Sequence, residues 1–224
     1  MHAMILAAGH GKRMLDLTRD KPKSLLEISG KALIVHQIES LVLAGVKKIV
    51  VNTGRFSEQI HDNLGDGENY DVKIIYSDEG DSPLETAGGV VRALPLLGEK
   101  DFILANADIF TNFDYRELCC NLEYDDAHLV LVDNPEHNQQ GDFVLKRGRI
   151  LTTGTHKLTY SGIGCYQPRF FKKYMPNKNH FPLAPLLHQS AKDKTLSGQY
   201  FDGYWNDVGT PERLEKINNH LNIK

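Results

Sequence analysis

The 224-residue sequence predicts an α/β fold in which a mostly parallel mixed sheet carries helices on both faces and a small antiparallel insertion. Two observations predict this architecture. Short apolar runs alternate with helical patterns through the first half, which is typical of parallel strands joined by crossover helices. The second half changes to short β-type runs around a tight turn, which is typical of an antiparallel addition.

The first half supplies the alternating elements. Apolar runs predict strands at 4–7, 48–51, 72–76, 102–105 and 129–132. Helical patterns between the runs predict helices at 33–44, 57–64, 86–97 and 114–122. We expect Ala44-Gly45 to end the first of these helices, because glycine readily adopts the left-handed conformation that closes a helix.

The second half supplies the insertion and the remaining elements. Runs at 143–145 and 149–152 bracket Arg147-Gly148, which predicts a β-hairpin. Further elements are a strand at 158–166 and helices at 183–191 and 211–221. No Gly-, Ser- or Pro-rich linker and no internal repeat divides the chain, so we expect one domain over residues 1–224.

Composition excludes several classes of protein. The net charge of −3 argues against a protein that binds nucleic acid through broad phosphate contacts. No apolar run is long enough to span a membrane, and the first one is too short for a signal peptide. Cys119, Cys120 and Cys165 are odd in number and lack metal-ligand spacing, so we expect reduced thiols in a cytoplasmic protein. A redox switch at the vicinal pair is the alternative.

A glycine-rich turn after the first apolar run indicates a polyphosphate site. Gly9 and Gly11 allow a sharp turn and let backbone N–H groups approach an anion. Lys12 and Arg13 follow with positive charge, and Arg can bind phosphate oxygens bidentately. Lys23, after a stiff proline, is a second cationic point. An ordinary turn between strand and helix would use the same glycines.

Two aspartates indicate a metal site. Asp108 follows the run at 102–105, and Asp207 lies between an apolar run and a turn at 204–210. Two converging carboxylates would bind a hard cation such as Mg²⁺, which also takes substrate phosphates as ligands. We expect both to lie at the same rim of the sheet. For either one alone, a helix cap or turn is the alternative.

Taken in order, the motifs resemble those of the sugar-phosphate nucleotidyltransferases. The matching positions run from residue 7 to residue 210: Ala7-Ala-Gly-His-Gly-Lys-Arg-Met14, Thr18, Pro22-Lys23, Glu85-Thr-Ala-Gly88, Asn106-Ala-Asp108 and Trp205-Asn-Asp-Val-Gly-Thr210. Asp16, Ser24 and Ala107 stand where that family commonly has two prolines and a glycine. Within the family, further stretches are similar to the bacterial N-acetylmuramate-1-phosphate uridylyltransferases of cell-wall recycling: Val132–His137, Gly141–Phe143, Thr159–Ile163 and Leu183–Leu187.

The resemblance implies a Rossmann-like nucleotidyltransferase fold and a reaction. UTP and a sugar 1-phosphate, best N-acetylmuramate 1-phosphate, would give a UDP-sugar and pyrophosphate with Mg²⁺ as cofactor. Residues 1–132 would mainly bind the nucleotide and 133–224 mainly the sugar. The implied catalytic residues are Arg13 and Lys23, and the metal ligands are Asp108 and Asp207.

The resemblance also implies binding residues. Contacts to UTP would come from Gly9, Gly11, Lys12, Arg13, Lys23, Glu79, Gly88 and Asn106, with Glu79 or Gly88 near the base. Contacts to the sugar would come from Asp142, Ser161 and Gly162. A nearby cation would favour the lactyl carboxylate of muramate, and the sequence offers Arg92, Arg147, Arg149, Lys157 and Arg169 without singling one out.

Other functions stay open. One is a nucleotidyltransferase for the 1-phosphate of glucose, mannose or a heptose, using UTP, dTTP or GTP. Another is a non-catalytic sensor of nucleotide-sugars, which the presence of both cations and both aspartates disfavours. A Rossmann dehydrogenase fits less well, because Gly9-His-Gly11 lacks the third glycine of the dinucleotide motif.

Overall fold

The computed structural model describes residues 1–9, 11–80, 82, 84–118, 122 and 125–222. Its strands are β1 His2–Leu6, β2 Glu27–Ile28, β3 Lys31–Ala32, β4 Lys48–Thr53, β5 Lys73–Asp78, β6 Phe102–Asn106, β7 Ile109–Thr111, β8 Ala127–Val132, β9 Val144–Lys146, β10 Arg149–Leu151, β11 Thr159–Tyr166, β12 Leu196–Tyr200 and β13 Trp205–Asp207. Its α-helices are α1 Leu33–Leu43, α2 Ser57–Leu64, α3 Glu85–Leu97, α4 Pro168–Tyr174, α5 Ala184–Lys192 and α6 Pro211–Asn222.

Nine of these strands form one mixed sheet in the order β5-β4-β1-β6-β11-β8-β12-β10-β9. The first four are parallel to one another. The pairings of the others make β8, β12 and β9 run in the same direction, while β11 and β10 run against it. The prediction of a mostly parallel mixed sheet is therefore confirmed, and the sheet continues through both halves of the chain.

The strand residues alternate between two apolar layers, as the two-residue period of a strand requires. Ile5 packs on one face of the sheet with α1 residues such as Ile38. Met4 packs on the other face with Val90 of α3 and Phe170 of α4. Helices therefore cover both faces, as predicted.

The local predictions in the first half are largely confirmed. The predicted strands and the first three helices match β1, β4, β5, β6, β8, α1, α2 and α3 to within about two residues, the usual uncertainty of element ends. Gly45 adopts φ 84°, and the N–H of Val46 donates to Leu41 O at 3.1 Å. This glycine closes α1 as expected.

The predicted helix at 114–122 is wrong in the part that the structure describes. Asp114 accepts a hydrogen bond from the N–H of Arg116 at 2.9 Å and begins only a 3₁₀ turn at Tyr115–Glu117. Leu118 is already extended, so the local side-chain bond outcompetes a continuing helix. Cys119 and Cys120 lie outside the described residues.

In the second half, the hairpin is confirmed and several elements are additional. Arg147 and Gly148 both have positive φ, 51° and 75°, as a two-residue type I′ turn requires. The strand at 158–166 and the helices at 183–191 and 211–221 match β11, α5 and α6. Sequence reasoning missed α4, β12 and two antiparallel pairs, β7 with β13 and β2 with β3. No helix among the described residues is long and apolar enough to cross a membrane.

Asp126 gives the fold a testable pH dependence. Burial by itself would raise the pKa of this carboxyl, but the hydrogen bonds from Thr195, Lys173 and Arg169 outweigh burial and hold the pKa below its usual value. A pKa that is lower in the folded state stabilises the fold above the unfolded-state pKa, and this stabilisation is lost as pH falls through the folded-state pKa.

We therefore expect Asp126→Asn to lower the free energy of unfolding by about 1–3 kcal/mol at pH 7 and to have a progressively smaller effect in acid. Urea unfolding between pH 3 and 7 measures this, with the exposed Asp62→Asn as the control. An Asp126→Asn effect that stays constant across this pH range would contradict the assignment.

Candidate active site

A cavity of about 240 Å³ opens at the carboxyl ends of the central parallel strands, where ligands bind in open α/β sheets. We call it the first cavity. It is lined by Leu6, Ala7, Ala8, Gly9, Lys23, Ser24, Asn52, Glu79, Glu85, Thr86, Asn106, Ala107 and Asp108. Gly9, Lys23, Glu79, Asn106 and Asp108 are thus five predicted site residues that share one cavity.

A hydrogen-bonded network builds one wall of the first cavity. The Asn52 side chain accepts from the N–H of Ala7 at 2.8 Å and donates to Glu79 Oε1 at 2.7 Å. Glu79 Oε2 accepts from the N–H of Leu84 at 2.8 Å. A Cβ at Gly89 would overlap Glu79 Oε1, so glycine at this helix position makes room for the buried carboxylate. The network fixes Glu79 in place between β4 and the start of α3.

Gly88 faces away from the first cavity, which corrects its predicted place near the base. Its N–H donates to Phe181 O at 3.2 Å, and a Cβ there would overlap Asn179 O. Gly88 instead lines a separate cavity beside residues 175–179. Successive helical residues point about 100° apart, so Gly89 and not Gly88 lies against the cavity wall.

Lys23 and Asp108 form an ion pair inside the first cavity. The Nζ atom of Lys23 donates to Asp108 Oδ2, and the two side chains are 13% and 31% exposed. Gly11 has φ 62°, and a Cβ there would lie 3.2 Å from Lys23 Cβ. Glycine at this position therefore lets the glycine-rich turn pack closely against the lysine.

Lys12 and Arg13 lie apart from this pair. Both are exposed, neither lines the first cavity, and neither has a hydrogen bond or ion pair within the described part of the chain. They begin a 3₁₀ segment, Lys12–Thr18, in which Leu15 has φ 53° and ψ −126° and is 71% exposed. Such a backbone conformation is strained for a side chain with a Cβ and is typical of functional loops.

The backbone brings the two predicted metal ligands into neighbouring segments. The N–H of Val208 donates to Asp108 O at 2.8 Å, and Asp207 pairs with Ile109 between β13 and β7. This pair of strands is a separate small sheet, which corrects our expectation that Asp207 ends a strand of the main sheet. Ala107 does not adopt the positive φ that a glycine there would allow.

Asp207 is also held by cationic neighbours. Its Oδ1 lies 2.5 Å from Arg213 Nη1 and 3.2 Å from His137 Nε2. No group of three or more His, Cys, Asp or Glu side chains within the described ranges is placed to hold a metal. Two carboxylates with free coordination positions are nevertheless a donor set that fits Mg²⁺, which takes one or two carboxylates plus substrate oxygens.

A second cavity, of about 300 Å³, adjoins the first, because Thr86 and Asn106 line both. We call it the second cavity. Its other lining residues are Asp142, Phe143, Tyr160, Pro182, Leu183, Ala184, Leu187 and His188. Asp142 is fixed there, since its Oδ2 accepts from the N–H of Tyr160 at 2.8 Å and its Oδ1 from Asn138 Nδ2 at 3.1 Å.

The other two residues predicted for the sugar lie beneath the cavities. Ser161 is buried, and its Oγ accepts from the N–H of Ile163 at 3.2 Å, so its hydroxyl does not line the second cavity. Gly162 has φ 79°, and a Cβ there would lie 2.6 Å from Asn106 Nδ2. Both residues belong to the irregular part of β11, where a bulge brings backbone against Asn106.

Sequence reasoning did not single out two polar residues of these cavities, Asn52 and His188. Asn52 and His188 stand in ordinary apolar surroundings in the sequence, and no motif marks them. Glu85 lines the first cavity with φ 60°, unusual for a residue with a side chain, and lies 3.6 Å from His180 Nε2. The sequence marks this residue as the start of the motif Glu85-Thr-Ala-Gly88, whereas its positive φ is visible only in the structure.

A Rossmann-like mixed sheet, with a cavity at its carboxyl edge beside a glycine-rich turn and a lysine, fits a nucleotide-binding transferase. The chain belongs to the Nucleotidyl transferase family, whose model matches residues 2–147. The protein is therefore a sugar-phosphate nucleotidyltransferase, an enzyme that acts on small molecules.

Two curated relatives and one solved structure are similar over almost the whole chain. N-acetylmuramate alpha-1-phosphate uridylyltransferase of Neisseria meningitidis serogroup B is 44% identical over 96% of this chain and 96% of its own length. The protein of the same name from Caulobacter vibrioides is 33% identical over 94% of this chain and 92% of its own. The structure of the inositol-1-phosphate CTP transferase from T. maritima has a TM-score of 0.78 and 17% identity, covering 96% of this chain and 95% of that one, which shows the shared fold.

Proposed function

We propose that this protein transfers UMP from UTP to N-acetylmuramate 1-phosphate, forming UDP-N-acetylmuramate and pyrophosphate in peptidoglycan recycling. The observation that carries the proposal is the 44% identity, over 96% of both chains, to a relative that bears the name of this activity. The adjoining cavities support it, since one molecule of UDP-sugar would occupy both. The reaction consumes UTP, so we place it in the cytoplasm.

The two cavities support the proposal that different parts of the chain bind the two substrates. All residues that line the first cavity fall within 6–108, whereas most of those that line the second fall within 142–188. We propose that residues 1–132 mainly bind the nucleotide and residues 133–224 mainly bind the sugar. Asn106, at the junction, would contact the ribose or a phosphate.

The proposed chemistry needs no general base. A phosphate monoester is largely a dianion at neutral pH, because its second pKa is about 6. One of its oxygens would attack the α-phosphorus of UTP, forming a P–O bond while the bond to pyrophosphate breaks and the electron pair leaves with pyrophosphate. Catalysis then consists of positioning two anions and stabilising the charge that develops between them.

Lys23 is placed for that role. Its ammonium group lies in the first cavity with Asp108. We propose that Lys23 neutralises the α-phosphate and the incoming sugar phosphate. Gly9, Gly11, Lys12 and Arg13 would bind the β- and γ-phosphates, and because Lys12 and Arg13 are exposed, their loop would have to close over them.

We propose Mg²⁺ as the cofactor, held by Asp108 and Asp207. The bound ion would neutralise phosphate charge and orient phosphate oxygens. Lys23 and Arg213 now pair with the two carboxylates, while Glu79 and Glu85 add further negative charge to the first cavity, which a bound cation would offset.

Glu79 is our candidate for recognition of the base. Each carboxylate oxygen has two acceptor positions, and the known partners of Glu79 use one on each. Uracil presents an N3–H donor that a carboxylate can accept. A uracil preference is therefore compatible with the wall that Asn52 and Glu79 form.

A substrate panel tests the function. We expect release of pyrophosphate with UTP and N-acetylmuramate 1-phosphate, with kcat/KM at least about tenfold above that for GTP or ATP, because a purine cannot place the same N–H against Glu79 and a buried hydrogen bond left unmade costs more than about 1 kcal/mol. Thymine carries the same N3–H as uracil, so dTTP instead tests the contact to the ribose. The second arm compares the 1-phosphates of N-acetylglucosamine, glucose, mannose and a heptose. A preference for another pair would assign the protein to a different sugar nucleotidyltransferase, and binding without turnover would assign it as a sensor.

A further inference from the structure

The second cavity has an uneven distribution of charge. Its negative group is Asp142, whose two oxygens are already bonded to Tyr160 and Asn138. Burial raises the pKa of the Tyr160 phenol, which stays neutral and shares a hydrogen bond of 2.9 Å with the hydroxyl of Tyr166. Of the described residues that line this cavity, His188 alone has a side chain that can become positively charged.

His188 lies in the apolar wall of the cavity. It belongs to α5, and its ring packs against Phe143 with the centroids 5.0 Å apart and the planes tilted by 42°. Leu183 and Leu187 continue this wall. The imidazole is partly exposed, and no hydrogen bond or ion pair within the described chain occupies its nitrogens. The imidazole N–H of His188 can therefore donate a hydrogen bond to a ligand from within an apolar wall.

The cations that the sequence offered for an anionic sugar lie elsewhere. Arg149 pairs with Asp125 and Arg169 with Asp126, while Arg92 lines the cavity beside residues 175–179. Arg147 occupies the hairpin turn, and Lys157 lies outside the residues that line the second cavity. The location of these side chains therefore favours His188, and not one of the arginines or Lys157, as the group that meets an anionic sugar in the second cavity.

A muramate sugar requires both an apolar surface and a hydrogen-bond donor or cation, and the second cavity offers both. It differs from N-acetylglucosamine by a lactyl ether, which has a methyl group and a carboxylate on the same carbon. The methyl group gains by contact with Phe143 and Leu187, whereas a carboxylate against apolar walls is costly unless a donor or cation meets it. A neutral hexose needs neither feature.

We propose that His188 is a specificity-determining residue that binds the lactyl carboxylate of the sugar through its imidazole N–H. This inference rests on the proposed function, because it names the group by which that site would distinguish its sugar. The interaction lies away from the reacting phosphorus and is equally present in the ground and transition states. Its loss should therefore raise KM more than it lowers kcat.

The test measures kcat/KM for N-acetylmuramate 1-phosphate and N-acetylglucosamine 1-phosphate with UTP in three variants. His188→Ala and His188→Leu should each lower the muramate-to-glucosamine ratio by about 10- to 100-fold, the usual loss for a hydrogen bond to a charged group. The leucine variant keeps the apolar wall filled, so it separates the effect of losing side-chain packing from the effect of losing the hydrogen-bond donor. The exposed His156→Gln should keep the parent ratio. Calorimetry with UDP-N-acetylmuramate and UDP-N-acetylglucosamine gives the same ratio without turnover.

The outcomes separate the two proposals. If the parent enzyme prefers muramate and both His188 variants keep that preference in kinetics and calorimetry, His188 does not bind the carboxylate although the proposed function stands. If the parent enzyme shows no preference for muramate, the proposed substrate is wrong and the role of His188 falls with it. A selective rise in KM for muramate in folded variants supports both.

Discussion

Replacement of Lys23 by alanine is expected to lower kcat by about 10²–10³-fold, the typical cost of removing a group aimed at developing charge. The Nζ atom of Lys23 lies in the first cavity beside Asp108, and its side chain is only 13% exposed. Once the ammonium group is gone, no cationic side chain among the described residues that line the first cavity meets the substrate phosphates. The loss should therefore appear in the chemical step as well as in binding.

Lys21→Ala is the matched control for this experiment. Lys21 lies two residues away but is much more exposed, and its 3.7 Å contact with Glu27 is a surface ion pair of small energetic value. Single-turnover release of pyrophosphate and thermal melting of both variants give rate and stability together. A folded Lys23→Ala enzyme that keeps near-parental kcat would remove Lys23 from the mechanism.

The parallel half of the fold was predictable because its strands are buried on both faces. Runs such as Ile49–Val51 in β4 and Phe102–Ala105 in β6 are apolar throughout, which marks such strands without any pairing information. By contrast, β12 reads Leu-Ser-Gly-Gln-Tyr, with a glycine and two polar residues. Its strand conformation comes from parallel pairing with β8, a contact that no local pattern encodes.

The candidate site, like the fold, was predictable from the sequence only in part. The short motifs contain several residues that line the first cavity, because backbone turns depend on nearby glycines and prolines. They could not show that Lys23 pairs with a carboxylate 85 positions away, or which of two successive glycines in α3 faces the cavity. His188 was unpredictable because its position depends on how α5 packs against Phe143, which is a tertiary contact.

The aspartates Asp108 and Asp207 are expected to act as one metal site. Single Asp108→Asn and Asp207→Asn substitutions should each reduce kcat by at least about 10²-fold, since an amide supplies a neutral ligand where the ion needs negative charge. The double variant should be little worse than either single one, because groups that act as a unit are not additive. Asp202→Asn, an exposed position near the same strand, is the control.

Stability separates this expectation from a purely structural role. Each carboxylate now faces a cation, Lys23 or Arg213, so the asparagine variants lose an ion pair in the folded state. The paired side chains are only 13–31% exposed, so removing one charge leaves a partly buried cation without its partner, and we expect a loss of about 1–3 kcal/mol. The variants should still be folded at 25 °C, so activity should fall by more than the unfolded fraction explains.

A direct measure of metal binding completes the test. Mn²⁺ can replace Mg²⁺ as a spectroscopic probe, and its affinity in the presence of UTP should fall in both single variants, with no further large fall in the double variant. If the two substitutions instead act additively, lower activity only in proportion to unfolding and leave Mn²⁺ affinity unchanged, then the aspartates serve the fold. Their ion pairs with Lys23 and Arg213, together with the pairing of β7 and β13, would then be the reason for their position.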